Sequence, residues 1–146
     1  MVSRASVLAL LLLLAGCERA GLLRPDDPQL VARGKTIYAA QCAACHGARL
    51  EGQPNWQQRD ASGRLPAPPH DASGHTWHHP DQVLFDITKY GVARAAKMPD
   101  YVTSMPKYEG VLSDEDIVAV LSFIKAQWPE RIRKQHDEVT RSAHGH

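Results

Sequence analysis

An all-α fold of three main helices joined by long loops is what this sequence predicts, and three observations carry the expectation. Apolar residues recur at three- and four-residue spacing in three separate stretches, each bounded by capping residues, proline or glycine. The period-two alternation of a half-buried strand is absent, and no internal repeat is visible. The connections between the helical stretches are longer than a bare helical bundle uses, so they require something to pack on.

The first helix opens at Asp27-Pro28, a capping side chain followed by proline at the first helical position. Leu30, Val31, Gly34, Ile37, Tyr38 and then Gln41-Cys42 lie on one face, and Gly47 is the stop. Residues 47–79 hold four of the ten prolines and keep no helical or strand period, so they read as one long loop. A second helix follows in "HPDQVLFDITKYG", with Val83, Leu84, Ile87 and Tyr90 on its face and Gly91 as its end. Residues 91–112 form a second loop with two Met-Pro pairs. The last helix opens at Ser113 with Asp116 three residues on, a capping-box variant, and Ile117, Val120, Leu121 and Ile124 form its apolar face, widened by Phe123. It ends near Trp128-Pro129. From Glu130 the chain is polar and reads as a flexible tail over residues 130–146.

The N-terminal residues stand apart from this fold. An apolar run of ten, "VLALLLLLAG", is too short to span a bilayer, which takes about 20 residues, but suits the core of a signal peptide. It ends in Leu14-Ala15-Gly16-Cys17, which resembles the lipobox of bacterial lipoproteins. That resemblance implies cleavage before Cys17, a lipid on its thiol, and a mature chain on the periplasmic side of a membrane. The expected organisation is therefore a lipoprotein-type signal peptide over residues 1–16, a tether over 17–27, one domain over 28–129, and the tail.

Composition excludes some functions. Lys and Arg number 17 against 16 Asp and Glu, a formal net charge of +1, so no basic excess exists to neutralise nucleic-acid phosphates. Aromatic residues make up only 6%, thin for a small core, and a large apolar prosthetic group would relieve the shortage.

Cysteine usage points to what that group is. With Cys17 acylated, Cys42 and Cys45 are the only thiols left, and an oxidising compartment does not keep two idle thiols reduced. A thioredoxin-like pair needs a strand before it, and none is present. A structural zinc needs four ligands, whereas Cys42, Cys45 and His46 supply three, with the last two awkwardly adjacent; a loop histidine would have to complete the set. Cys-x-x-Cys-His is also the attachment motif of a c-type haem, with the two thiols on the porphyrin and the next imidazole on the iron. A second axial ligand would then come from Met98 or Met105, since methionine raises the potential of such an iron.

From about Pro28 to Trp128 the chain resembles a small bacterial class I monohaem cytochrome c. "GKTIYAAQCAACHG" is similar to that family's first helix, and "SMPKYEGVLSDEDIVAVLSFI" to its axial Met-Pro and last helix. The resemblance implies one covalent haem c on Cys42 and Cys45, His46 and Met105 as axial ligands with Met98 the runner-up, and a crossing of Gly34 and Tyr38 against Val120 and Phe123. It also implies that the carbonyl of a proline holds the other nitrogen of His46, and in "EGQPNW" the match is Pro54.

The stretch "RLPAPPHDASGHTWHHP" departs from that pattern. Its histidines, His70, His75, His78 and His79, belong either to a loop wrapped on the haem edge, with Trp77 as core and the histidines hydrogen-bonded or solvated, or supply one or two groups near the haem propionates, where an arginine such as Arg64 could stand instead, or form an extra copper or other metal site to which His136, His144 and His146 add weakly. The expected function is a lipid-anchored electron carrier rather than an enzyme. It would exchange electrons with redox proteins such as an oxidase or dehydrogenase, and bind no small-molecule substrate. Metal handling through residues 70–79, or haem sensing, is the alternative.

Overall fold

The computed structural model describes residues 21–145. Over these residues the chain forms α1 (Pro28–Gln41), α2 (Ala43–His46), a single 3-10 turn (Thr76–His78), α3 (Asp81–Tyr90), α4 (Val92–Ala95), α5 (Asp114–Ala126) and α6 (Glu130–Ala143), with no strand among them. The segment expected to be a signal peptide, Cys17 and the start of the expected tether lie outside the described residues.

The helix starts follow from local chemistry. The Asp27 carboxylate accepts from the amides of Gln29 and Leu30, both at 3.1 Å, and so satisfies two donors that a helix leaves free at its first turn. At the head of α5 the Ser113 hydroxyl accepts from the Asp116 amide at 3.1 Å, while Asp116 accepts from the Ser113 amide at 3.2 Å. Both bonds of the capping box are present.

The two capped helices cross at Gly34. A methyl group placed there would overlap the backbone carbonyl of Ala119 and stand 2.8 Å from Cβ of Phe123. Only glycine lets the helices approach this closely. The rings of Tyr38 and Phe123 pack beside the crossing with centroids 5.5 Å apart. Ala119, one residue before the expected Val120, is the backbone contact. Val120 lies in the core with Leu30, Leu84, Ile117, Leu121, Ile124 and Trp128.

Two expected boundaries move. The flexible tail proposed for residues 130–146 is corrected, because Glu130–Ala143 is helix α6. Ile132, His136 and Thr140 recur every fourth residue and are buried, so α6 presents one stripe to the domain. Ile132 contributes about 2 kcal/mol by burial alone. The other two are polar, which hid the stripe from a reading of hydrophobic periodicity. Partners for them lie in the interior: the Thr140 hydroxyl donates to Asp81 at 3.3 Å, and His136 Nε2 lies 3.0 Å from the carbonyl of His79, while His136 Nδ1 has no partner among the described residues.

The tether is also shorter than expected at its C-terminal end. Leu23 is buried and its amide donates to Asp81 Oδ2 at 2.9 Å; the Arg24 amide donates to the Ser122 hydroxyl at 2.9 Å. Residues 23–27 therefore belong to the folded domain. The segment and α6 converge on the same Asp81 at the start of α3.

Candidate cofactor site

Helix α1 ends at Gln41, and one further turn, α2, carries the rest of the cysteine motif. The Cys42 amide still bonds to Tyr38 O at 2.9 Å, and the amides of Cys45 and His46 then turn onto Cys42 O at 3.1 and 2.9 Å. This places Cys42, Cys45 and His46 on a single turn. Gly47 leaves it with φ of 81°, a left-handed conformation that favours glycine, and its carbonyl accepts from the Tyr38 hydroxyl at 2.8 Å.

The two thiols are not joined to each other. Cys42 is half-buried and Cys45 exposed, and both are free. Burial and the neighbouring Cys45 push the Cys42 thiol up to about 11. A redox-active dithiol needs the opposite shift, toward thiolate at neutral pH. Among the described residues no group of three or more His, Cys, Asp or Glu side chains is gathered to hold an ion, which removes the zinc reading of this motif.

His46 is buried, and burial lowers its pKa, which keeps the imidazole neutral. Its Nδ1 lies 2.9 Å from the carbonyl oxygen of Pro68. A carbonyl only accepts, so Nδ1 carries the proton and Nε2 is left with its lone pair. That is the tautomer a metal-ligating histidine needs.

The carbonyl expected from Pro54 thus comes from Pro68, and Pro54 is exposed. The reason lies in how the loop folds back. The Gly52 amide bonds to His46 O at 2.8 Å, the Gln53 amide to Ala67 O at 2.9 Å, and the Ala67 amide to the Gln53 side chain at 2.8 Å. Residues 52–53 and 67–69 therefore run side by side, and 54–66 is an excursion between them. Gly52, with φ of 69°, has no room for a side chain against the Pro68-Pro69 backbone.

The loop histidines divide. His70 stacks on His46 with ring centroids 4.0 Å apart and planes 21° from parallel. Burial, together with the two nearby histidines His46 and His75, holds its pKa well below the ordinary value. His75 stacks instead on Trp56, centroids 5.3 Å apart, and His78 lies edge-on to Trp77 at 3.8 Å. His79 offers its carbonyl to His136, while its ring meets His75 edge-on at 5.4 Å. No three of His70, His75, His78 and His79 gather around one point to hold an ion, which corrects the extra metal site suggested for them. His136 is buried and so is no part of a metal-binding tail. Trp77 packs against the core, as the solvated-loop reading expected. Arg64 is exposed and joins the tight turn at Asp60, where its amide donates to the Asp60 carboxylate at 3.0 Å.

The two candidate methionines differ in setting. Met98 is 49% exposed, beside a surface cavity of about 460 Å³ lined also by Arg59, Tyr101 and Val102. Met105 is half-buried and lies three residues before Tyr108. Tyr108 is buried; its hydroxyl donates to Gln41 O at 2.8 Å and its amide to Thr88 O at 3.1 Å. The Met105 loop is in this way tied to the end of α1, one residue before Cys42.

The Cytochrome c family model matches residues 31–128. The chain belongs to the cytochrome c family. A comparison with curated proteins and one with solved structures gave no match. The fold of this cytochrome is all-helical, as its sequence predicts, and its cofactor is covalent haem c. The residues present fit that group: two unpaired thiols and an imidazole with a free Nε2 share one turn, and among the described residues no competing ion site is assembled around them. The family match stops at Trp128, so α6 is an addition to the matched domain. Sequence reasoning missed Pro68, the α6 stripe and the stacking role of His70. The second proline of "PAPPH" was the one available signal for the first of these.

Proposed function

We propose that this cytochrome is a single-haem electron carrier anchored by a lipid on Cys17 to the periplasmic side of a bacterial membrane. Cys42 and Cys45 would hold the porphyrin through thioether bonds, and His46 Nε2 and Met105 would ligate its iron. Haem, when bound, supplies a one-electron iron couple. The observation that carries the reading is the Nδ1 bond of His46 to Pro68 O at 2.9 Å beside two free thiols, because it leaves Nε2 free to ligate.

The chain's own residues then perform three tasks. Pro68 fixes the tautomer of His46. The Tyr108 bonds to α1 and α3 tie down the loop that carries Met105, where it would stand as a ligand. The core beneath, built on the α1–α5 crossing, excludes water from the buried side. Exchange with a redox partner such as an oxidase or dehydrogenase would use a small, weak interface. The exposed setting of Met98 supports Met105 as the methionine ligand.

The ferric visible spectrum tests the axial pair. A methionine–iron charge-transfer band is expected, lost in Met105→Ala and kept in Met98→Ala; loss in Met98→Ala alone reverses the assignment. For the anchor, incorporation of labelled fatty acid into the full chain is expected to vanish in Cys17→Ser, and labelling that persists overturns it.

A further inference from the structure

The face of the buried His46 imidazole is covered by a second imidazole, that of His70. The stack is close, with centroids 4.0 Å apart and planes 21° from parallel. His70 is itself held from several sides. Its amide donates to Leu50 O at 2.8 Å, and its carbonyl accepts from the Trp128 indole at 2.7 Å. Its Nδ1 meets the Thr76 hydroxyl at 2.8 Å. That hydroxyl also lies 3.4 Å from Pro69 O. The ring is therefore fixed in rotation as well as in place.

The hydrogen bond from His46 to Pro68 O restrains the imidazole along one direction in its plane. It does not by itself prevent the ring from rocking about that direction. A flat, fixed neighbour on the face does. The backbone of Leu50 and of Pro68-Pro69, the Thr76 hydroxyl and the Trp128 indole just beyond α5 meet at this point.

We propose that His70 is a positioning residue whose clamped ring acts as a plate that sets the plane of the His46 imidazole. The proposal rests on His46 being the axial ligand. It assigns His70 no bond to iron and no exchange of a proton. The plate fixes the direction in which the ligand's π orbitals meet the iron, and this direction governs the asymmetry of unpaired spin in the ferric state.

The test uses the mature full-length protein. Electron paramagnetic resonance of the ferric form and the haem-methyl shifts in proton NMR both report the ligand plane, and a merely structural contact would leave them unmoved. In His70→Ala the haem-methyl shift pattern is expected to change and the low-spin signal to broaden or split. In His70→Phe, which keeps a flat ring, both are expected to stay near wild type. Thr76→Val removes the Nδ1 anchor and is expected to give an intermediate spectrum. If the His70→Ala chain does not mature, His70→Leu, of similar bulk without a flat face, takes its place in the comparison with His70→Phe. A wild-type pattern in the Ala or Leu variant overturns the proposal, even with a lowered Tm, and so does a Phe variant that changes as much as the Ala variant. Absence of any histidine-ligated low-spin signal in the unmutated protein would remove the axial assignment itself, and the plate with it.

Discussion

The hydroxyl of Tyr108 donates to the backbone carbonyl of Gln41 at 2.8 Å, across 67 positions of sequence. Gln41 is the last residue of α1, so this bond fastens the Met105 loop to the base of the cysteine motif. Burial raises the Tyr108 pKa, which keeps the phenol protonated and able to donate. Tyr108→Phe removes that donor from a carbonyl at the helix end and is expected to cost about 1 kcal/mol, a fall in Tm of about 4 °C. Exogenous imidazole should also bind the ferric form of the variant faster than wild type. Unchanged binding kinetics would show that the bond does not restrain the methionine loop.

At the α1–α5 crossing, Gly34→Ala would drive its methyl into the Ala119 carbonyl, which belongs to a buried helix and has nowhere to move. A loss of about 3 kcal/mol is expected, read as a fall in Tm. Gly63→Ala is the matching control. Nothing lies within 4 Å of its new methyl, and only the positive φ of 79° resists, for about 1 kcal/mol. Equal losses at the two sites would mean that the crossing is not tight.

Gly52 and Pro54 form a second contrasting pair. Gly52→Ala combines a φ of 69° with contact against Pro68 and Pro69, and the easiest relief is to push the Pro68 carbonyl away from His46. Less haem incorporation per chain is expected, measured as the ratio of haem to protein absorbance after purification. Pro54→Ala, at an exposed position, should change that ratio little and stability by no more than about 0.5 kcal/mol. The reverse order would return the carbonyl to Pro54.

These pairs also mark what was legible in the chain. The caps at Asp27 and Ser113, the small residue at Gly34 and the cysteine turn are all written within a few residues of where they act. Local rules therefore suffice for them. The carbonyl that meets His46 is different, because choosing Pro68 over Pro54 depends on residues 54–66 bulging out between two segments that pair. No propensity encodes that length. Helix α6 was missed for another reason. Its inward stripe pairs one isoleucine with a histidine and a threonine, and their burial is favourable only because Asp81 and His79 O wait on the other side. Polar burial of that kind is set by a partner distant in sequence, so it looks like solvent exposure until both ends are seen.

That same stripe predicts how the fold responds to acid. His136 is fully buried, and the groups facing it are Asp81 at 3.5 Å, Thr140, the His79 carbonyl, the edge of Trp128, and the Lys125–Asp137 ion pair at 2.6 Å. Burial lowers its pKa first and the Lys125 charge lowers it further, against the opposing pull of Asp81, the His79 carbonyl and Asp137. The unfolded chain, with an ordinary histidine near about 6.5, binds the proton more readily than the folded chain. Stability from this residue is therefore complete above about pH 6.5 and is lost as pH falls from there through the lowered folded value. Carboxylates held low by hydrogen bonds, such as Asp60 and Asp116, add their own loss only at more acid pH. His136→Gln cannot titrate and still carries an amide that can donate to His79 O. Thermal unfolding of the two proteins between pH 7.5 and pH 5 should show a steeper decline in wild type, with the variant less stable at the upper end. Parallel slopes would mean that α6 releases His136 to solvent before the proton binds.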